Sequence, residues 1–208
     1  MNAHVFFSGG PSESLLAMVL ETAVVMGSPG PSTMAVTATA AAFGVSRSLR
    51  FVSGAIAGTV AVLLAVATGA VGLLMSAPAL GAALTLASAV YILHLAWKIA
   101  TAAPLSKQAT DGSAPGVAAG FLLAIANPKA WFAIAAVFTG STLIESSREL
   151  DGLLKAAILA IMIVLIHSFW MLGGVSFSGF LSHPLRSRVA NILFGLILVG
   201  TTGLALIR

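Results

Sequence analysis

The stretch Val24–Val36, VVMGSPGPSTMAV, decides how this chain is read. It lies within an apolar run from about residue 15 to 42, and some 20 mostly apolar residues suffice for a helix to cross a bilayer. Yet Gly27, Ser28, Pro29, Gly30 and Pro31 fall at its centre. Proline brings no amide hydrogen, and lipid offers nothing to satisfy the backbone groups that a break sets free. Such a break is tolerated where protein buries it or where it lines a cavity.

The surrounding composition supports a membrane reading. Of 208 residues, 59% are hydrophobic and 8% charged, against about 25% charged in ordinary soluble domains. The mean hydropathy is +1.07. Long runs of Ala, Val, Leu and Ile with 21 glycines suit packed transmembrane helices, not a barrel of alternating ten-residue strands. There is no cysteine, which excludes disulfides, thiol redox chemistry, thiolate metal sites and iron–sulfur clusters. The net charge of +4 is scattered at segment ends, so it reads as topology and no nucleic-acid partner is expected. Residues 1 to 14 hold no Lys or Arg, so a cleavable signal peptide is not expected and the N-terminal segment is read as retained.

Six stretches reach spanning length: roughly 15 to 42, 51 to 75, 78 to 98, 116 to 143, 153 to 180 and 188 to 207. Only SAPA, Ser76–Ala79, separates the second from the third, which requires an antiparallel hairpin. The longest polar connection, Thr101–Gly116, divides the chain near its middle and reads as a flexible loop. The fourth span repeats the feature of the first, because LAIANPKAWFA places Asn127, Pro128 and Lys129 at its centre. Each half therefore starts with an interrupted helix followed by two ordinary ones. An odd number of helices per half makes the halves opposite in orientation, the pattern of inverted repeats in secondary transporters. The expected fold is all-α and integral to the membrane, a single domain over 1–208 with repeats at about 12–100 and 114–208. Helices one and four are expected to be interrupted at the midplane.

Lys and Arg in the short loops set the orientation. With the N-terminus outside, the inner side holds Arg47, Arg50, Lys98, Lys107, Arg186 and Arg188, and the outer side Arg148, Lys155 and Arg208. Both termini are therefore expected outside. Glu145, Glu149 and Asp151 surround Arg148 and Lys155 and mark that loop as a solvated one.

GSPGPSTMAV, RSLRFVSGAIAGTV, AVYILHLAWKIA and GFLLAIANPKAWFAIAAVF, in that order, resemble the characteristic segments of the amino-acid exporter superfamily of the LysE/RhtB type. The resemblance covers nearly the whole chain. It implies a six-helix, multi-pass carrier of the bacterial inner membrane that exports amino acids or related metabolites in exchange for protons. Glu21 maps onto no part of that pattern, so any role for it rests on chemistry alone.

The candidate substrate site comprises Ser28, Pro29, Gly30, Pro31, Ser32 and Thr33 from the first break and Asn127, Pro128 and Lys129 from the second. A charge at mid-membrane depth costs about 2.5 to 3.5 kcal/mol on insertion scales. Lys129 is accordingly read as an anchor for a substrate carboxylate, the alternative being a lysine satisfied by carbonyls freed at Pro128. Asn127 reads first as a cap of the restarting helix. Ser32 and Thr33 open the second half of helix one, whose free amides and dipole suit an anion.

Glu21 and His167 are candidates for proton coupling. Eight residues at 1.5 Å each put Glu21 about 12 Å from Pro29, too far for a direct pair with Lys129, so it reads as an outer-vestibule residue. The alternative is an acid that snorkels to the interface. His167, in VLIHSFW, titrates in the range a proton gradient uses, with a hydrogen-bonded core histidine as the alternative. His94, Trp97 and Lys98 read as interfacial anchors. Gly54 with Gly58, and Gly116 with Gly120, have the spacing for close helix contact, within the subunit or across a homodimer. Trp131 and Trp170 are candidates for the cavity wall or for core.

No cofactor, no metal and no enzymatic activity is expected, since no ligand cluster or nucleophile–base pair appears. The expected partners are a small-molecule substrate, an amino acid, and the lipid bilayer. The rival reading is a passive channel for small polar solutes, which needs a continuous polar or gated pore lining.

Overall fold

The computed structural model of the protein describes residues 11–69 and 114–176, with scattered positions between 86 and 101 and between 185 and 200. The expected third and sixth spans, the SAPA hairpin, the loop after Thr101 and the residues before Pro11 lie outside the described residues, those scattered positions apart. Five helices are described: α1 (Pro11–Val25), α2 (Pro31–Ala67), α3 (Val117–Ile125), α4 (Pro128–Gly140) and α5 (Arg148–Ser176). No strand occurs among the described residues. Two helices, α2 and α5, are long and apolar enough to cross a membrane, and the bent pair α3 and α4 makes a third candidate.

Both expected interruptions are present. The first separates α1 from α2 at Met26–Gly30, and the second separates α3 from α4 at Ala126–Asn127 with a bend of 61°. Proline opens the helix after each break, at Pro31 and Pro128, where its fixed φ suits a first turn and its missing amide costs nothing. Asn127 caps α4 by accepting from the Lys129 amide at 3.2 Å. In α2 the roles reverse, since the Gly30 amide donates to Thr33 Oγ1 at 2.9 Å.

The polar loop expected between the first two spans does not form. α2 has 37 residues, roughly 55 Å of helix at 1.5 Å each, nearly twice the hydrocarbon thickness. It is in fact two limbs joined at Gly44, whose φ of 73° lies in the left-handed region. Ser48 Oγ donates to Thr39 O at 3.0 Å and to Gly44 O at 2.7 Å. Nine residues along a straight helix stand roughly 13 Å apart, so the bond to Thr39 requires the limbs to fold back on each other. One glycine and one hydroxyl thus replace a loop, and the second helical limb begins at Val45 instead of near residue 51.

The second limb is held against α3 by missing side chains. A Cβ on Gly54 would strike the Val117 carbonyl, and one on Gly120 the Phe51 carbonyl. On Gly58 it would stand 2.6 Å from the Phe121 carbonyl oxygen. The paired-glycine spacing therefore serves contact within the subunit. Gly116 takes no part, having nothing within 4 Å of its would-be Cβ. Overpacking such a contact costs about 1–3 kcal/mol or more, so Gly120→Leu should lower the thermal midpoint of the detergent-purified chain by several degrees, while Gly116→Leu leaves it unchanged.

Two apolar clusters flank the breaks. Met34, Val36, Phe51, Leu123 and Met171 pack near the Gly44 end; Met18, Val62, Ile134, Leu159 and Ile163 pack toward the other. Large apolar side chains such as Phe132, Ile161 and Phe169 remain exposed, as lipid contact allows.

The connection from α4 to α5 departs from the solvated loop expected. Asp151 and Lys155 are both buried and pair at 2.7 Å. Asp151 Oδ1 accepts the amides of Leu143 at 2.6 Å and Ile144 at 2.9 Å. Lys155 Nζ donates to Ser141 O at 3.0 Å and stands 4.7 Å from the centre of the Phe138 ring. These two charges fasten the loop to α5, leaving Glu145, Arg148 and Glu149 as its outward charges.

Candidate functional site

The two breaks meet. Lys129, in the first turn of α4, sends its ammonium across to the other interruption, donating to Ser28 O at 2.5 Å, Ser28 Oγ at 2.8 Å and Pro29 O at 3.3 Å. Three donors meet three acceptors, so the ammonium is satisfied by groups that the break after α1 set free. The carbonyls come from the opposite break, not from Pro128. Gly30 makes room for this crossing, because a Cβ there would stand 2.8 Å from Lys129 Cδ. Asn127 makes a second link, its Nδ2 donating to Ser32 Oγ at 2.9 Å.

Tryptophans complete the satisfaction of the breaks. Trp170 Nε1 on α5 donates to Gly27 O at 3.0 Å, and Trp131 Nε1 donates to Ile125 O at 2.8 Å. Each carbonyl lies at a helix end where no intrahelical amide follows. Both indoles therefore act as caps for broken helices, a role their apolar surroundings in sequence did not suggest.

Beside the Lys129 crossing lies a cavity of about 30 Å³, walled by Ser32 and Thr33 of α2's first limb, Thr59 of its second, Asn127, Lys129 and His167 of α5. Ser32, Thr33, Thr59, Asn127 and His167 are all buried. His167 Nδ1 is 2.8 Å from Ile163 O of its own helix, and its Nε2 has no hydrogen-bond partner among the described residues. Thus the structure gathers Ser32, Thr33, Asn127, Lys129 and His167 around one space, with Ser28 and Pro29 on the far side of the lysine. Thr59 was not anticipated: a hydroxyl in an apolar helix, bonded to its own turn at Ala55 O, 2.8 Å away, gives no signal in sequence.

Glu21 is not brought to this site. It sits on the exposed side of α1, whose buried positions are Met18 and Thr22, and no pair between Glu21 and Lys129 forms. Among the described residues no group of three or more His, Cys, Asp or Glu is placed to hold a metal ion.

Electrostatically the site leans positive. The first turns of α2 and α4 open on it, each with the positive end of a helix dipole, and Lys129 adds a full charge; in α4 the Lys129 and Ala130 amides are already held by Asn127. The polar groups are few and convergent within an apolar shell, the usual make-up of a small-molecule site.

No curated protein and no solved structure matches the chain. A family model, the LysE type translocator, matches residues 23–208, from the last turn of α1 to the C-terminus. The chain therefore belongs to the LysE family of membrane translocators, which places it among transporters of amino acids or related compounds.

Proposed function

We propose that the protein is an inner-membrane exporter of an amino acid or related metabolite, working by proton antiport, with its substrate site between the two helix breaks. The observation that carries this is the Lys129 ammonium bound to Ser28 and Pro29. A mid-span lysine whose ligands are only exchangeable carbonyls and one hydroxyl can trade them for a substrate carboxylate, which offers a full opposite charge. The dipoles of α2 and α4 favour the same anion. Ser32, Thr33 and Asn127 complete the contact surface. Of the two proton candidates, His167 is at the cavity and Glu21 is not, so His167 is the residue we assign to coupling.

Alternating access then follows if the halves rock about the site, the trade at Lys129 loosening the link between the breaks. The full architecture in this reading is two inverted three-helix repeats, which the matching Pro-opened breaks support. Reconstituted into liposomes, the chain should show saturable amino-acid flux accelerated by substrate on the opposite side. Linear flux that ignores trans substrate would identify a channel instead.

The N-out, C-out orientation rests on the Lys and Arg distribution and has its own test. Lacking cysteine, the chain accepts single-cysteine labels without background. Ser147→Cys should react with an impermeant reagent only from the periplasmic face and Asp111→Cys only from the cytoplasmic face; the reverse pattern refutes this orientation.

A further inference from the structure

The exchange chemistry at Lys129 leaves one buried group unexplained, the His167 Nε2 atom. The ring's other nitrogen faces the Ile163 carbonyl, which only accepts, so Nδ1 carries the hydrogen and the neutral ring presents a lone pair at Nε2. His167 is 4% exposed and lines the cavity. The neighbouring hydroxyls are committed in the same sense. Thr59 Oγ1 gives its hydrogen to Ala55 O and Thr33 Oγ1 to Gly30 O, at 2.8 and 3.1 Å, so both keep lone pairs. The three hydrogens of Lys129 point away to the first break. His167 Nε2, Thr59 Oγ1 and the remaining lone pair of Thr33 Oγ1, which already accepts the Gly30 amide, thus give the cavity three acceptors beside the one hydroxyl donor of Ser32, and the set calls for a donor.

Size narrows the donor. The cavity measures about 30 Å³, and a water-sized group needs about 10–15 Å³ by the same measure. An ammonium fits and a large side chain does not, while the acceptors favour the ammonium over a methyl group of the same size. A lone cation is repelled by Lys129, whereas an α-amino acid brings a carboxylate of its own to that lysine, one carbon away from its amine. We infer that the cavity walled by His167 and Thr59 is the ammonium subsite for a zwitterionic α-amino acid, and that the His167 Nε2 lone pair holds either the substrate N–H or a proton, never both.

This rests on the exporter reading and supplies its coupling step. A proton that forms an N–H bond at Nε2 converts the acceptor into a donor and releases the ammonium; loss of that proton to the other side restores the subsite. Lys129 is the titratable group that faces His167 from the elements described around α5. Glu13 and Glu21 of α1, and Arg47 and Arg50 of α2, lie on exposed surface, and Asp151 and Lys155 lie roughly 18 Å or more along α5 from it. Amine substrates lacking an N–H find no acceptor match here, and an N-acyl group, though it leaves one N–H, is too large for the cavity.

The test uses the full chain with ¹⁵N-labelled histidine, the His167 signals being identified by their loss in His167→Gln. Glycine, which is the head group alone, is titrated against betaine, which has the same charges and no N–H. Glycine should shift the Nε2 resonance saturably and betaine should not. The glycine midpoint should rise about tenfold for each pH unit below half-protonation of His167, as mutual exclusion requires. Thr59→Val should raise it about tenfold through loss of one hydrogen bond to a charged group, with the His167 titration unchanged. Equal responses to glycine and betaine, no response to glycine, or a midpoint indifferent to His167 protonation overturns the subsite. Amino-acid exchange measured on the same preparation separates the two readings: exchange without a His167 response overturns the subsite alone, and a His167 response without exchange supports the subsite and overturns export.

Discussion

Lys129→Met should abolish exchange of amino acid between loaded liposomes together with net export driven by a pH gradient, because both need the substrate held in the same site. Lys129 is half-buried, and removing a hydrogen bond to a charged group costs about 1.5–3 kcal/mol, which is roughly tenfold or more in affinity. The carbonyls of Ser28 and Pro29 also lose their ligand, so the folded state should weaken as well. Lys129→Arg separates these effects. Its guanidinium retains the charge, but its planar fork matches the carbonyl set poorly, so stability should recover further than transport. Normal export by Lys129→Met protein that inserts and folds would remove the lysine from the site.

His167→Gln should split what Lys129→Met loses together. Glutamine keeps an oxygen acceptor for the substrate amine but cannot take up a proton. Exchange should be retained, because the amide oxygen replaces the Nε2 lone pair as acceptor for the charged amine, a bond whose outright loss would cost about 1.5–3 kcal/mol. Gradient-driven export should fall to the undriven rate. Glu21→Gln should leave both activities intact, its side chain being on the outer surface of α1. Loss of gradient driving in Glu21→Gln with retention in His167→Gln would move the proton path away from the cavity.

What could be read in the sequence was local. Prolines and glycines inside apolar runs announce broken helices wherever the fold later puts them, so Pro29, Pro31 and Pro128 marked both breaks. The capping role of Asn127 followed from its place before Pro128. The crossing of Lys129 to Ser28 was not legible, because it joins residues 101 apart in sequence and no local pattern states which break satisfies which charge. One glycine after a run of alanines carries no loop signature, so the turn at Gly44, made by its positive φ and the Ser48 hydroxyl together, is not legible in sequence. Asp151 and Lys155 read as solvated loop charges because Glu145, Arg148 and Glu149 crowd around them in sequence, yet two loop amides draw the carboxylate inward. Trp131 and Trp170 gave away nothing of their capping roles, since an indole's partner is a matter of tertiary placement.

The claim that the space between the breaks is the transport site is tested most directly at Ser32, buried beside Asn127 in the lining of the cavity. In a chain that has no cysteine of its own, Ser32→Cys can be probed with a small impermeant thiol reagent from either face of sealed vesicles. The account predicts reaction from both faces, slowed from both by the transported amino acid. Reaction from one face only, or reaction that the transported amino acid leaves unchanged, would contradict it.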